Sequence, residues 1–103
     1  MKISEGIMSM VVTAIPFGKK NAISLNSLSA GTGINERDVR RAIESARANG
    51  VVILNDYNGK GYYKSKNVDE IYEAYWREKR RMKHLYQATL PMRKLLKAAG
   101  RAV

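Results

Sequence analysis

Apolar residues recur at the spacing of an α-helix in three stretches before residue 50 and in one long stretch after residue 67. The first stretch, Ser4 to Ile15, opens with a serine suited to an N-cap and ends before Pro16. Its inward face comprises Ile7, Met8, Val11, Val12 and Ile15. We predict an amphipathic core helix here, because the run is much shorter than the ~20 residues that a membrane span requires.

Two further helices are predicted before residue 50, with a tight turn between them. The run "SLNSLSAGT" predicts a short helix capped by Ser24. In "GTGIN", Gly31 and Gly33 are expected to supply the positive φ of the turn. The third helix, Asn35 to Asn49, starts with its own N-cap residue and is followed by Gly50.

A hairpin is predicted next, from Val51 to Ser65. Its strands are "VVIL" (Val51 to Leu54) and "GYYKS", and the joining "NDYNGK" contains an Asn-Gly pair that favours a hairpin turn and places Asp56 in the loop. A last helix is expected from Asn67 as N-cap, with an apolar stripe of Ile71, Tyr75, Met82, Leu85, Met92 and Leu96. Pro91 predicts a kink or a break near residues 87–91.

The order helix, short helix, tight turn, helix, hairpin and long helix is that of a winged helix-turn-helix. We therefore predict a mainly α fold with a small β-hairpin. It comprises a winged helix-turn-helix domain at residues 1–66 and a basic C-terminal helix, kinked or broken near Pro91, at residues 67–103. In such a fold the helix Asn35 to Asn49 enters the DNA major groove, and the hairpin Val51 to Ser65 is the wing.

The charge favours a polyanionic partner. The formal net charge is +10, and nucleic acid is the first expectation for such a chain. Up to Trp76, 10 basic residues accompany 8 acidic residues, whereas from Arg77 onward 9 basic residues accompany only Glu78. The absence of cysteine excludes disulfides and thiolate metal sites, and favours a cytoplasmic protein.

The third helix carries four arginines. If Val39 defines zero and each residue advances 100°, then Ala42, Ile43 and Ala46 fall within about 60° of it and form the buried stripe. On the opposite side lie Arg37, Arg41 and Glu44, flanked by Arg40 and Arg47. The arginines are thus expected to face away from the core. Arginine pairs bidentately with guanine or with phosphate oxygens.

Position along this helix suggests roles. Asn35, Glu36 and Arg37 lie at the N-terminal end, which usually approaches base edges. Arg37 and Arg41 are the candidates for base contacts, and Arg40 is the candidate for a phosphate contact.

Two other charged residues of the helix have more than one reading. Glu44 is expected either to accept from a cytosine amino group or to orient Arg40 and Arg41. Arg47, near the C-terminal end, is expected to serve the helix dipole or a surface pair.

The wing offers further candidates. Tyr57 and Lys60 at the hairpin tip, with Lys64 beyond it, are expected either to contact the DNA backbone or minor groove or only to aid solubility. Tyr62 and Tyr63 point to opposite faces, and one of them is expected in the core.

Three motifs in this region resemble small winged-helix proteins encoded by phages and prophages of Gram-positive bacteria. The loop "G-x-x-N-A-I" is carried by Gly18, Asn21, Ala22 and Ile23. The recognition-helix motif "R-x-V-R-x-x-I" is carried by Arg37, Val39, Arg40 and Ile43, and the wing motif "G-Y-Y" by Gly61, Tyr62 and Tyr63. The resemblance covers about half of the chain. It implies double-stranded DNA binding in transcriptional control or in phage replication, with no target sequence carried over.

The basic tail from Arg77 has three readings. Its apolar stripe is suited either to pack back on the domain or to pair with a second copy of the chain. The second alternative gives a homodimer through the C-terminal helix, although Glu78 interrupts the seam. Its basic cluster of Arg77, Lys79, Arg80, Arg81 and Lys83 is also suited to non-specific phosphate contacts. A membrane-surface helix is disfavoured, because basic residues surround the helix and leave no clean apolar face.

Catalysis is not expected. The sequence has no phosphate-binding glycine loop, no metal-ligand spacing and no nucleophile-base set, and its only histidine, His84, lacks partners. We therefore predict no cofactor, no metal and no small-molecule ligand. The competing interpretations are a sequence-specific DNA-binding regulator, a replication-origin or replication accessory protein, and a winged-helix adaptor that binds another protein.

Overall fold

A computed structural model describes residues 3–56 and 61–103. The chain forms two compact units, Met1–Ile71 and Tyr72–Val103. Their boundary lies inside the last helix, a few residues beyond the division predicted from the sequence.

The first unit contains three helices, α1 (Glu5–Ala14), α2 (Leu25–Thr32) and α3 (Glu36–Ala48). The side chains of Ser4, Ser24 and Asn35 each accept a hydrogen bond from a backbone N–H in the first turn of the helix that follows. These are the three predicted caps, and each satisfies a donor that has no partner within the helix.

The core of this unit lies between the three helices and the hairpin. It comprises Val11 and Ile15 of α1, Leu28 of α2, Val39, Ala42, Ile43 and Ala46 of α3, and Ile53. Ala42 and Ala46 are fully buried, which lets α3 pack closely against its neighbours. Each large aliphatic side chain buried here stabilises the fold by roughly 1.5–3 kcal/mol.

The turn between α2 and α3 is fixed by side-chain hydrogen bonds. Gly33 ends α2 in the left-handed conformation, with φ of 74°. Ser29 Oγ donates to the Ile34 carbonyl at 2.6 Å, and Thr32 Oγ1 accepts from the Ile34 N–H at 3.3 Å. The expectation for Gly31 is wrong, since α2 continues through this residue to Thr32.

The hairpin consists of β1 (Ile53–Asp56) and β2 (Gly61–Lys64), paired antiparallel. Strand β1 begins two residues later than predicted, because the Val51 N–H donates to the Ala46 carbonyl at 3.0 Å and so completes the end of α3. The prediction of Asp56 as a loop residue is wrong, since it ends β1 and is buried.

Strand β2 is also paired on its other side, with the loop that follows α1. Ile23 and Tyr62 exchange two backbone hydrogen bonds of 2.8 and 2.7 Å. At the far end of β2, the Lys64 N–H donates to the Pro16 carbonyl, and the Lys64 carbonyl accepts from the Gly18 N–H. The loop, which includes one 3-10 turn (Lys19–Asn21), thus holds the hairpin against the helices.

The last helix, α4, spans Val68–Ala98. The Asn67 side chain accepts from two backbone N–H groups of its first turn, as predicted for an N-cap. Of the two outcomes predicted at Pro91, a kink or a break, the break is wrong, because the helix continues through this residue. Proline removes one backbone hydrogen bond, to the carbonyl of Gln87, and that residue is exposed to water.

The fold class is confirmed: a mainly α structure with a two-stranded hairpin, a winged helix-turn-helix followed by a long C-terminal helix. Helices α2 and α3 with the turn between them form the helix-turn-helix, and β1 with β2 forms the wing. Within residues 3–56 and 61–103, no helix has both the length and the apolar character to cross a membrane.

Candidate nucleic-acid interface

The outer face of α3 is basic, as the helical spacing predicts. Arg37, Arg40 and Glu44 are exposed, and Arg41 is half-buried. Val39 and its helical neighbours on the opposite face are buried in the core. Because a 13-residue helix is about 20 Å long, this face can follow several base pairs of a major groove.

The three arginines of this face are not used to hold the fold. Among the described residues, Arg37, Arg40 and Arg41 make no hydrogen bond and no ion pair. Glu44 likewise has no ion pair with Arg40 or Arg41 in that part of the chain, so the expected orienting role of Glu44 is not supported. The guanidinium groups are therefore available to an external anion or base.

The N-terminal end of α3 is partly occupied by its own cap. The Asn35 Oδ1 accepts from the Asp38 N–H at 2.9 Å, and the Asn35 Nδ2 donates to Asp38 Oδ2 at 3.0 Å. The Asn35 side chain thus positions the start of the helix, whereas Glu36 and Arg37 beside it are exposed.

Arg47, at the other end of α3, has a structural partner that sequence reasoning missed. Its Nε and Nη2 both donate to the Ile53 carbonyl, at 3.0 and 2.8 Å. This pair ties the last turn of α3 to the first residue of β1, in place of the expected helix-dipole or surface-pair role. The Arg47 contact therefore adds to the backbone hydrogen bonds that hold the hairpin against the helices.

The Lys64 side chain makes its contacts inside the first unit. Its Nζ donates to the Val12 carbonyl at 2.8 Å and lies 4.8 Å from the centre of the Phe17 ring. A cation at the C-terminal end of α1 is favourable, because the helix dipole is negative at that end. The amino group of Lys64 thus has a structural partner, so the structure does not support the expected DNA contact of this residue.

The structure describes the two adjacent tyrosines of the hairpin but not the two candidates at its tip. Tyr57 and Lys60 lie outside the described residues. Tyr63 is 2% exposed, which confirms that one of the two adjacent tyrosines belongs to the core, and Tyr62 packs partly against that core.

The second unit carries a separate basic surface on α4. Lys79, Arg80, Arg81 and Lys83 are exposed, and Arg77 is half-buried. Arg81 lies 4.0 Å from the Glu78 carboxylate, an exposed pair that contributes at most about 1 kcal/mol.

Comparisons of the chain with models of protein families, with curated proteins and with solved structures found no match.

Proposed function

We propose that this protein binds double-stranded DNA with sequence preference. In this proposal, α3 enters the major groove and the β1-β2 hairpin lies beside it as the wing. Arg37 and Arg41 contact base edges, and Arg40 contacts a phosphate. Glu36 lies near the bases, and Glu44 accepts a hydrogen bond from a cytosine amino group.

One observation carries the proposal: the three outward arginines of α3 are without partners in the described part of the chain. Arg47 of the same helix differs from these three arginines, because it stabilises the fold through two hydrogen bonds to a backbone carbonyl. A free guanidinium has the planar set of donors that matches O6 and N7 of guanine, or two phosphate oxygens.

A winged-helix adaptor that binds another protein is the main competing function. An adaptor surface is expected to be rich in aromatic residues and methionine at its centre. Within the described residues, none of the large exposed apolar side chains lies on α3. The outer face of α3 is instead charged, which favours DNA.

The biological role that we propose is transcriptional regulation. The resemblance of three motifs to phage and prophage winged-helix proteins supports this role, in the cytoplasm of a bacterial host. Binding at a phage replication origin uses the same contacts and stays an alternative. Neither role requires catalysis, a metal or a cofactor.

The proposal is tested by selecting bound sequences from a random duplex library with the full chain. A salt concentration of about 150 mM partly screens the non-specific attraction of the basic tail. We expect recovery of a defined motif. Recovery of unenriched sequences by the folded protein would contradict sequence preference.

A further inference from the structure

Helix α4 exposes a long apolar stripe. Every side chain from Glu78 to Val103 is exposed, and Met82, Leu85 and Met92 are each more than half exposed. Helices in proteins obtain most of their stability from the packing of an apolar face against another surface. We therefore expect the stripe of α4 to pack against a partner surface.

The stripe has the spacing of a two-stranded coiled coil. Steps of three and four residues alternate along its seam, which gives the average period of 3.5 residues. The seam residues are Tyr75, Glu78, Met82, Leu85, Thr89, Met92 and Leu96. Two of these residues, Glu78 and Thr89, are polar and would each be unfavourable opposite leucine or methionine.

We propose that α4 pairs with α4 of a second copy of this chain as an antiparallel coiled coil centred between Lys83 and His84. In this register the polar residue Glu78 faces the polar residue Thr89 of the second copy. The Thr89 hydroxyl donates to the Tyr86 carbonyl within its own helix at 2.7 Å and can rotate towards the carboxylate. The apolar layers are then Met82 against Leu85 and Tyr75 against Met92.

The distribution of charge selects the antiparallel orientation. Residues 77–83 contain five basic residues and one acidic residue, whereas residues 84–90 contain no Asp, Glu, Lys or Arg. The antiparallel register places each basic segment opposite the neutral segment of the other copy. A parallel pair would place the two basic segments side by side, and juxtaposed like charges oppose association.

The parallel orientation also fails in the seam itself. It would bring two Glu78 carboxylates into one layer, where burial and mutual repulsion both disfavour the charged form. The antiparallel register avoids this contact.

The flanks of the seam agree with the antiparallel register. Lys79 comes beside Tyr86 of the second copy, which allows a cation to lie over an aromatic ring. Within one helix, Lys79 Nζ already lies 5.4 Å from the centre of the Tyr75 ring. On the other flank, Arg81 faces the small residue Ala88.

Cysteine cross-linking distinguishes the two orientations, because the chain has no native cysteine. The test uses two full-length variants, Glu78→Cys and Thr89→Cys, alone and mixed, in a glutathione redox buffer without DNA. In the antiparallel pair the two copies of residue 78 lie about 16 Å apart along the axis, beyond the roughly 7 Å between Cα atoms that a disulfide spans. Residues 78 and 89 of different copies are adjacent.

We expect the mixture to give at least about tenfold more disulfide-linked dimer than either variant alone, with one chain of each kind in it. Efficient cross-linking of Glu78→Cys alone would overturn the proposal in favour of a parallel pair. No cross-linked product in any sample would also overturn it, as would a monomer in sedimentation of the wild-type chain.

A second pair of variants, Tyr75→Cys with Met92→Cys, tests the antiparallel orientation at a different layer of the seam. Circular dichroism of the reduced variants checks that α4 stays helical. Since no DNA is present, failure of this test leaves the proposed DNA binding intact, and failure of the library selection leaves the coiled coil intact.

Discussion

At the scale of single residues, Arg47 and Lys64 contribute to stability because each donates from its charged side chain to a backbone carbonyl oxygen in another part of the first unit. Hydrogen bonds from charged donors contribute about 1.5–3 kcal/mol. Arg40, on the same helix as Arg47, makes no such contact with the described residues. Basic residues that look equivalent in the sequence thus differ in the structure: some stabilise the fold through hydrogen bonds, and others can bind an external partner.

Arg47→Met should lower the free energy of unfolding by about 1–2 kcal/mol, because it removes both hydrogen bonds to the Ile53 carbonyl while keeping much of the aliphatic volume. Urea denaturation followed by circular dichroism measures this. The matched control is Arg40→Met, which should stay within about 0.5 kcal/mol of wild type. Equal losses for the two variants would show that the Ile53 contact has no special weight.

At the scale of elements, the wing depends on one close approach between β2 and the loop after α1. Gly61 has φ of 99°, and a Cβ at this position would overlap the Ile23 carbonyl. Gly50 has a similar φ of 93° but has open space around it. A side chain at Gly50 would therefore meet backbone strain alone, whereas a side chain at Gly61 would meet both backbone strain and steric overlap.

Gly61→Ala should destabilise the fold by about 2 kcal/mol more than Gly50→Ala, since overlap with backbone adds to the strain of positive φ. Chemical denaturation of both variants gives the difference. If Gly50→Ala is as damaging as Gly61→Ala, the pairing between Ile23 and Tyr62 is not what requires glycine.

The sequence predicts the helices and their caps because these depend on local periodicity and on single side chains such as Ser24 and Asn35. It does not predict the pairing of Ile23 with Tyr62, since that contact joins residues far apart in the chain. The arginine face of α3 is predictable because it follows from local helical spacing. The partners of Arg47 and Lys64 are not predictable, because they lie in other elements of the fold. The "G-Y-Y" motif contains the relevant glycine, but only the tertiary contact explains it.

At the scale of the whole molecule, charge is divided between two surfaces. The outer face of α3 has three arginines, and residues 77–83 have five basic residues. Phosphate contacts add affinity without sequence preference and make binding sensitive to salt. We therefore propose that α3 supplies the sequence preference of DNA binding, and that the basic cluster of α4 adds salt-dependent, non-specific affinity.

Replacement of Arg77, Lys79, Arg80, Arg81 and Lys83 by glutamine should reduce the slope of log affinity against log salt by about 4, since each lost phosphate contact removes about 0.9. Fluorescence anisotropy on a fixed duplex at several salt concentrations measures the slope. The selected motif should be unchanged. An unaltered slope would exclude this cluster from the DNA contact.

The most direct test of the central claim is to repeat the library selection with Arg37→Ala and with Arg41→Ala beside the wild-type chain. Each variant should lose the preference for one base pair of the motif, and should bind the wild-type site about 1–3 kcal/mol more weakly with little change on random DNA. Arg40→Ala, as the control, should keep the motif and weaken binding to all sequences. An identical motif from the wild type and both variants would contradict the claim that the outer face of α3 reads DNA.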